Sequence, residues 1–305
     1  MSKAGAPSVA VIGLGSMGLG MARSMARKGL AVAGFDNNSA ASNAFAGEGL
    51  APGSLKAACQ DRDVVVVVVV NAGQTETVLF SPEGAARAMR PGGVIVSCAT
   101  MAPDDARRLA EQARALGVNY LDAPISGGAT KAAAGQLTVM AAGSSAAFDM
   151  AQPVLDAIAA KVYRLGDAPG IGAAYKMVNQ LLAGAHVAAA CEAIAFAARL
   201  DLDLAKVYEV ITASAGNSWM FENRVPHILA ADYTPRSAVS IFTKDLGIVS
   251  DMGRREKFPL PVATTALQLF LMTAAAGMEA DDDSSVARML AGLAGLQLPG
   301  PPEAT

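Results

Sequence analysis

Residues 9–18 read V-A-V-I-G-L-G-S-M-G and decide the first half of the fold. The short apolar run predicts a buried strand. The glycines after it have the spacing G-x-G-x-x-G, and a helical pattern continues to about Lys28, where Gly29 can end the helix. A second apolar run covers 31–35, and Asp36 follows it directly. The separation between Gly13 and Asp36 is close to the value of about 20 residues that is typical of dinucleotide-binding βαβ units.

The glycine-rich loop is a candidate cofactor site, and its six residues are Gly13, Leu14, Gly15, Ser16, Met17 and Gly18. In such a loop the first glycine allows a tight turn, the second lets a pyrophosphate approach, and the third lets helix and strand pack closely. The helix start offers N–H groups to the phosphates. The Asp36 carboxylate can accept hydrogen bonds from ribose hydroxyls and would repel the 2′-phosphate of NADP, so the pattern predicts NAD. A glycine turn without a ligand is the alternative.

Strands and helices alternate through about residue 165, which predicts a doubly wound α/β sheet of the Rossmann type. The valine run from Val64 to Val70 is typical of a central parallel strand buried on both faces. After Gly172 only helical patterns remain. We therefore expect a dinucleotide-binding domain over 1–168 and an all-helical substrate and oligomerisation domain over 169–305, joined by a long interdomain helix. The predicted helices are 173–200, 204–213, 217–230, 237–254, 261–275 and 284–294.

The composition of the chain limits the kinds of binding partner that we expect. The chain has 305 residues, of which 52% are hydrophobic and 17% charged, with a net charge of −3, so it can bury a large core. The absence of a basic run argues against nucleic acid. Neither a signal peptide nor an apolar run long enough for a bilayer is found, so no membrane association is expected. The apolar excess favours buried subunit contacts, as in a homodimer or homotetramer.

The three cysteines suggest neither a disulfide framework nor a zinc site, and no metal site is predicted. Free thiols and the lack of a targeting segment favour a reducing cytoplasm. The two histidines, His186 and His227, are not spaced as a catalytic pair, and we interpret His186 as a core or interface residue.

Residues 170–180, G-I-G-A-A-Y-K-M-V-N-Q, open a long apolar helix that carries Lys176 in its first turns. Asn179 and Gln180 follow at i+3 and i+4, on the same face of the helix. A lysine that loses solvation has a lowered pKa and can serve as a general acid/base. The alternative is a surface lysine on a frayed first turn.

Four blocks together resemble the β-hydroxyacid dehydrogenase family, which includes 3-hydroxyisobutyrate dehydrogenase and tartronate semialdehyde reductase. The resemblance covers residues 9–293. The blocks are G-L-G-S-M-G-L-G-M-A at 13–22, D-A-P-I-S-G-G at 122–128, G-I-G-A-A-Y-K-M-V-N at 170–179 and K-D-L at 244–246.

The resemblance implies roles for named residues. Lys176 would be the catalytic acid/base. The substrate carboxylate would be held by Ser126, Gly127 and Gly128. Asn179 would position the substrate, and Gln180, which stands where some members have asparagine, would also contact it. Further positions would contact the cofactor, namely Val70, Asn71, Thr100 and Lys244, with Val70 and Asn71 acting through the backbone.

Within the family, the block Ser214–His227 resembles the L-threonate dehydrogenase branch. This implies oxidation of L-threonate at C2 to 2-oxo-tetronate (2-dehydro-L-erythronate). A 3-hydroxyisobutyrate dehydrogenase and a tartronate or succinic semialdehyde reductase are the near alternatives, and a non-catalytic NAD-binding interaction module is the distant one. Trp219 and Phe221 in this block either pack in the core or line a substrate pocket.

Overall fold

The computed structural model describes residues 6–47 and 51–299. The chain divides into two compact units, Met1–Lys176 and Met177–Thr305. The domain boundary predicted from the sequence, between residues 168 and 169, lies slightly before this division and stays a prediction.

The first unit alternates strands and helices. In chain order its elements are β1 (Val9–Ile12), α1 (Ser16–Arg27), β2 (Val32–Phe35), α2 (Ser39–Gly47), β3 (Ala51–Pro52), α3 (Leu55–Cys59), β4 (Val64–Val67), α4 (Ala72–Phe80), α5 (Ala85–Ala88), β5 (Val94–Ser97), α6 (Pro103–Ala115), β6 (Asn119–Asp122), β7 (Ile125–Ser126), α7 (Gly128–Ala134), β8 (Leu137–Ala141), α8 (Ser145–Ile158) and β9 (Ala159–Arg164). Six strands form a sheet in the order β3-β2-β1-β4-β5-β6. All its pairings are parallel, so the predicted doubly wound sheet is confirmed.

The central strands are apolar without interruption because both faces of the sheet are covered. Along β4, Val64 and Val66 lie in one hydrophobic cluster and Val65 and Val67 in the other. All four side chains are fully buried. Successive side chains of a strand point to opposite faces, so a sheet with helices on both sides needs apolar residues at every position.

The sequence predicted a strand from Val64 to Val70, and its predicted end is wrong. Strand β4 stops at Val67, and Val70 is 45% exposed. The Val68 N–H still donates to the Ile12 carbonyl, at 2.7 Å, before the chain leaves the sheet. The Gly13 backbone lies so close to the Val68 carbonyl that a Cβ there would be 2.3 Å from its oxygen.

A second, three-stranded sheet in the order β7-β8-β9 was not predicted. Strand β7 pairs antiparallel with β8, and β8 pairs parallel with β9. Strand β7 has only two residues, too few for a recognisable period in the sequence. It places Ser126 opposite Thr138.

The second unit is helical, as predicted, and is entered through α9 (Ile171–Arg199), which begins in the first unit. The remaining helices are α10 (Leu204–Thr212), α11 (Trp219–Leu229), α12 (Val239–Arg255), α13 (Pro261–Thr273) and α14 (Val286–Leu293), with a π-helical turn at Ala274–Met278 and a 3₁₀ turn at Asp283–Ser285. Buried side chains of α9, α11, α12, α13 and α14 form its core, which includes the stacked rings of Phe242 and Phe270.

Two helical stretches, α9 and Pro261–Met278, are long and apolar enough to cross a bilayer by length and composition alone. One face of α9 contributes Val187, Cys191 and Ile194 to the core of the second unit. Core helices can also be this long and apolar, and this face of α9 packs as a core helix does.

We expect Gly18→Ala to destabilise the first unit strongly. An added Cβ would lie 1.8 Å from the Gly13 carbonyl oxygen, so the glycine-rich loop would have to move. The matched control is Gly247→Ala in α12, where an added Cβ meets nothing within 4 Å. Alanine is favoured over glycine inside a helix by about 0.5–1 kcal/mol, so the control should be neutral or stabilising. Urea unfolding of both variants checks this, and equal stability of the two would contradict it.

Candidate active site

The carboxyl ends of four parallel strands bring the predicted cofactor residues to one edge of the sheet. Gly13 follows β1, Asp36 follows β2, Val70 and Asn71 follow β4, and Thr100 follows β5. Strand order reverses between β1 and β4, because β2 lies on one side of β1 and β4 on the other. Ligands of open α/β sheets bind outside the strand ends at such a reversal.

The three glycines of the loop meet different requirements. Gly13 has φ +93°, a left-handed conformation that favours glycine. Gly18 allows the first turn of α1 to touch the Gly13 carbonyl. Gly15 is exposed, and a Cβ there would meet nothing within 4 Å, so open space lies over the backbone at this residue.

The Asp36 carboxylate is already engaged with the loop. One oxygen accepts the Leu14 N–H at 2.6 Å and the other accepts the Asn38 N–H at 2.8 Å. The side chain is half-buried. Each carboxylate oxygen can accept a further hydrogen bond, so Asp36 can hold the loop and still accept from a ribose hydroxyl.

The start of α1 suits an anion. Within residues 6–47 and 51–299, no side chain caps α1, whereas Asn71 caps α4 and Ser144 caps α8. Uncapped N–H groups at a helix start, next to a glycine with open space, fit the phosphates of a dinucleotide.

The residues after β4 hold the start of α4. The Val70 N–H donates to Gln74 Oε1 at 2.9 Å, and Asn71 Oδ1 accepts the Gln74 N–H at 2.8 Å. Their predicted cofactor contacts, like that of the half-buried Thr100, stay predictions.

The Ser126 loop has the backbone that its two glycines require. Gly127 has φ +138° and Gly128 has φ +76°. Ser126 is half-buried and Gly128 exposed. Helix α7 then packs so tightly on α1 that a Cβ on Gly20 would lie 2.8 Å from the Ala133 nitrogen. The close packing of α7 on α1 connects the Ser126 loop to the helix that follows the glycine-rich loop.

The structure brings Lys176 to the Ser126 loop. The lysine side chain is 6% exposed, and Nζ donates to the Ile125 carbonyl at 2.8 Å. Ile125 directly precedes Ser126 in β7. The alternative of a surface lysine on a frayed turn is therefore wrong.

Asp122 holds the start of α9 and is the main residue that sequence reasoning missed. Its Oδ2 accepts the N–H groups of Gly170 at 2.8 Å and Ala173 at 2.9 Å. At Gly172 the helix lies so close to the sheet that a Cβ would be 2.4 Å from the Met140 carbonyl. The sequence did contain a signal for this role. An acid opens the D-A-P-I-S-G-G block, and a G-x-G sequence later precedes an apolar helix whose N–H groups need an acceptor.

Burial raises the pKa of Asp122 to about 6, although the N–H groups of Ala173, Gly170 and Gly172 lower it. Arg107 lowers the pKa further. The side chain is 2% exposed. Because the carboxylate has lost water, its hydrogen bonds to the helix start are what keep it ionised near neutral pH.

In the second unit, four polar side chains form a chain of contacts. Asn179 Nδ2 donates to Gln180 Oε1 at 3.0 Å, and Gln180 Nε2 donates to the buried Asp245 at Oδ2, 2.5 Å. The Lys244 ammonium pairs with Asp245 Oδ1. Both ends of the Gln180 amide are thus engaged. Asp245, part of the K-D-L block but given no role from the sequence, connects Gln180 to Lys244.

Known families match both halves of the chain. A model described as the NAD binding domain of 6-phosphogluconate dehydrogenase matches residues 8–166. A model described as the NAD-binding of NADP-dependent 3-hydroxyisobutyrate dehydrogenase matches residues 170–290.

The chain belongs to the β-hydroxyacid dehydrogenase family.

Relatives and solved structures of this family extend over nearly the whole chain. An L-threonate dehydrogenase from Cupriavidus necator is 51% identical, covering 97% of this chain and 99% of the relative. One from Escherichia coli strain K12 is 47% identical, covering 96% of both. A crystal structure of 3-hydroxyisobutyrate dehydrogenase from Salmonella typhimurium is 49% identical, with a TM-score of 0.89, covering 92% of this chain and 99% of that one.

As a β-hydroxyacid dehydrogenase, the protein is an oxidoreductase that uses a nicotinamide dinucleotide and acts on small carboxylates. The predictions of family, enzyme class, cofactor type and fold are confirmed. In the residues that the structure describes, no group of three or more His, Cys, Asp or Glu is placed to hold a metal ion.

The block that resembles one branch of the family, Ser214–His227, is only partly engaged in packing. Phe221 is buried and stacks on Tyr208, with ring centroids 6.1 Å apart, whereas Trp219 is 51% exposed. The core-packing alternative therefore holds for Phe221.

Two polar residues of the same block are buried and are each paired with an aspartate. Arg224 Nε donates to Asp283 Oδ1 at 2.5 Å, and His227 Nδ1 lies 3.0 Å from Asp282 Oδ1. These pairs attach α11 to the turn before α14. The other histidine, His186, is exposed on α9, so the core alternative is wrong and the interface alternative stays a prediction.

We expect Asp122→Ala to lower the free energy of unfolding by about 1–3 kcal/mol, since it leaves buried N–H groups without an acceptor. Asp122→Asn keeps a side-chain oxygen that can accept these hydrogen bonds, so it should lower the free energy of unfolding by less.

The pKa of Asp122 in the folded state, about 6, exceeds its ordinary value of 3.8, so ionisation of Asp122 opposes folding. The stability of the wild type relative to Asp122→Asn should therefore fall as pH rises from about 4 to about 6, and be level above. Urea titrations at several pH values measure this, and a difference that grows with pH would contradict it.

Proposed function

We propose that this protein is an NAD-dependent L-threonate dehydrogenase. The observation that carries the substrate is that five relatives named L-threonate dehydrogenase are 46–51% identical over at least 94% of the chain. The reaction would oxidise the C2 hydroxyl of L-threonate to the ketone of 2-oxo-tetronate, with release of one proton.

In this proposal the general acid/base is Lys176. Its neutral amine takes the proton of the substrate hydroxyl during oxidation, and its ammonium returns the proton in the reverse direction. When bound, the nicotinamide supplies the hydride acceptor. The hydrogen bond from Nζ to the Ile125 carbonyl supports this role, because it holds the end of the long side chain beside the Ser126 loop.

The substrate carboxylate is assigned to the loop next to that lysine. The Ser126 hydroxyl and the N–H groups of Gly127 and Gly128 are donors, and the two glycines permit backbone that other residues adopt poorly. Asn179 follows Lys176 by about one turn of the same helix, on the same side. We assign the substrate contact to Asn179 and an orienting role to Gln180, whose amide is engaged at both ends.

The preference for NAD over NADP is assigned to Asp36. Its carboxylate would repel a 2′-phosphate, and the residues that follow are the uncharged Asn37, Asn38 and Ser39. The remaining cofactor contacts stay as the resemblance implies, at Val70, Asn71, Thr100 and Lys244. We also propose a cytoplasmic location, in keeping with three free, buried thiols, and a homo-oligomer.

The alternative substrate is 3-hydroxyisobutyrate, because the Salmonella typhimurium structure named for that activity is 49% identical to this chain. A reductase of tartronate or succinic semialdehyde remains a further alternative within the same chemistry.

The test of the proposed function is a panel of hydroxy acids with the purified enzyme. L-Threonate with NAD should give the highest kcat/KM, above L-erythronate, 3-hydroxyisobutyrate, glycerate and 2-(hydroxymethyl)glutarate. Each acid is assayed with NADP as well, and the charge of Asp36 should make NADP the weaker cofactor. A higher kcat/KM with 3-hydroxyisobutyrate would replace the proposal by its alternative.

The role of Lys176 is tested by Lys176→Ala and its control Lys176→Arg. General acid/base help contributes about 10²–10⁴-fold, so both variants should lose at least about 10²-fold in kcat. Added small primary amines should partly restore Lys176→Ala, since they replace the missing base. NADH binding, followed by fluorescence, should be unchanged. A Lys176→Ala variant within about tenfold of the wild type would exclude the role.

A further inference from the structure

Lys131 lies beside the loop to which the substrate carboxylate is assigned. It belongs to the first turn of α7, which begins at Gly128. Its aliphatic stem lies against the loop, because a Cβ on Gly127 would be 3.0 Å from both Cβ and Cδ of Lys131. Only Cε separates Cδ from Nζ, so the ammonium is close to the same loop. The residue is exposed, and the ammonium can therefore be reached by a molecule that binds from solvent.

The direction of this side chain follows from the geometry of the helix. Side chains of an α-helix tilt toward its N-terminus and cover the preceding turn. The segment before α7 is the Ser126 loop, so a long side chain in the first turn of α7 points back to that loop. Gly127 has no side chain, which leaves the space beside its backbone that the Lys131 stem fills.

The charges of the surrounding elements are all of one sign. Lys131 is the only charged residue between Asp122 and Asp149. Helix α1, on which α7 packs, contains Arg23 and Arg27 and no acidic residue. Strands β7 and β8 contain no charged residue. These four elements therefore contribute only positive charge, which suits an anionic ligand.

We propose that Lys131 makes the enzyme selective for an anionic substrate, by donating from Nζ to the carboxylate that the Ser126 loop binds. The inference rests on the proposed function, which assigns the carboxylate to this loop. The Ser126 hydroxyl and the glycine N–H groups are neutral donors. A hydrogen bond from an ammonium to a carboxylate is about twice as strong as one between neutral groups. Lys131 thus distinguishes an acid from an uncharged molecule of the same shape.

This contribution is made in substrate binding and not in the chemical step. The carboxylate keeps its charge throughout the oxidation, whereas the proton and the hydride leave from the C2 hydroxyl and C2. An interaction that is equally strong in the ground state and in the transition state changes KM and leaves kcat as it is. Loss of Lys131 therefore has a different kinetic effect from loss of Lys176, which acts on the reacting hydroxyl.

Lys131→Met tests the proposal, and Lys161→Met, at an exposed lysine of β9 in the same unit, is its matched control. Methionine keeps an unbranched stem and a similar helix propensity but removes the charge. In full-length enzyme with saturating NAD, Lys131→Met should raise the KM for L-threonate about 10- to 100-fold and keep kcat within about twofold, as expected for one lost hydrogen bond to a charged group. Lys131→Arg keeps the charge, so its KM should stay within about threefold of the wild type, as should that of the control.

Charge is separated from shape with L-threonamide, the primary amide of the same acid, used as a competitive inhibitor. Its inhibition constant in Lys131→Met should stay within about twofold of the wild type, because the amide has no charge to lose. Raising the salt concentration from about 0.05 M to about 0.5 M should raise the KM for L-threonate more in the wild type than in Lys131→Met, since salt screens the ammonium. An unchanged KM for L-threonate in Lys131→Met would overturn the proposal, and so would an amide that is weakened as much as the acid.

The test separates the role of Lys131 from the identity of the substrate. If another acid of the panel gives the highest kcat/KM, the same variants are compared with that acid and its primary amide. The substrate assignment would then be replaced, while the KM and inhibition constants still decide the role of Lys131. Thermal unfolding of Lys131→Met should match that of Lys161→Met, since both lysines are exposed.

Discussion

A single buried carboxylate, that of Asp122, holds the first turn of α9 to the end of the parallel sheet. The helix can come this close only because Gly172 has no side chain to meet the Met140 carbonyl, and Gly170 has φ +94°. The N–H groups at a helix start need acceptors when they are buried. Asp122 supplies one oxygen to two of them. Residues 125–126 follow that same aspartate, so Asp122 fixes both the Ser126 loop and the start of the helix that carries Lys176.

This attachment explains how a flexible side chain acquires a defined position. A lysine has four rotatable bonds, and ordering it costs about 1.5–2 kcal/mol of conformational entropy. The hydrogen bond from Lys176 to the Ile125 carbonyl offsets part of that cost. The docked backbone, more than the side chain itself, therefore decides where the amine lies.

The sequence predicted those features that depend on local spacing. The glycine loop, the alternating strands and helices of a doubly wound sheet, and the helical second half all follow from short-range patterns. The three-residue error at the end of the valine run and the missed β7-β8-β9 sheet arise from pairing partners distant in sequence. The roles of Asp122 and Asp245 were missed for the same reason, since their hydrogen-bond partners lie 48–51 and 65 residues away. The block Ser214–His227 identified the branch, yet its Arg224 and His227 are engaged in buried pairs.

The hydrogen bond from the Leu14 N–H to the Asp36 carboxylate complicates any attempt to change the cofactor preference by substituting Asp36. Replacing an acid at this position is an obvious way to admit a 2′-phosphate. Here the same carboxylate also holds the backbone at Leu14, within the glycine-rich loop. A substitution of Asp36 would thus loosen the backbone of the same loop that we propose binds the pyrophosphate. Engineering would need a replacement acceptor for Leu14 before any basic residue is added.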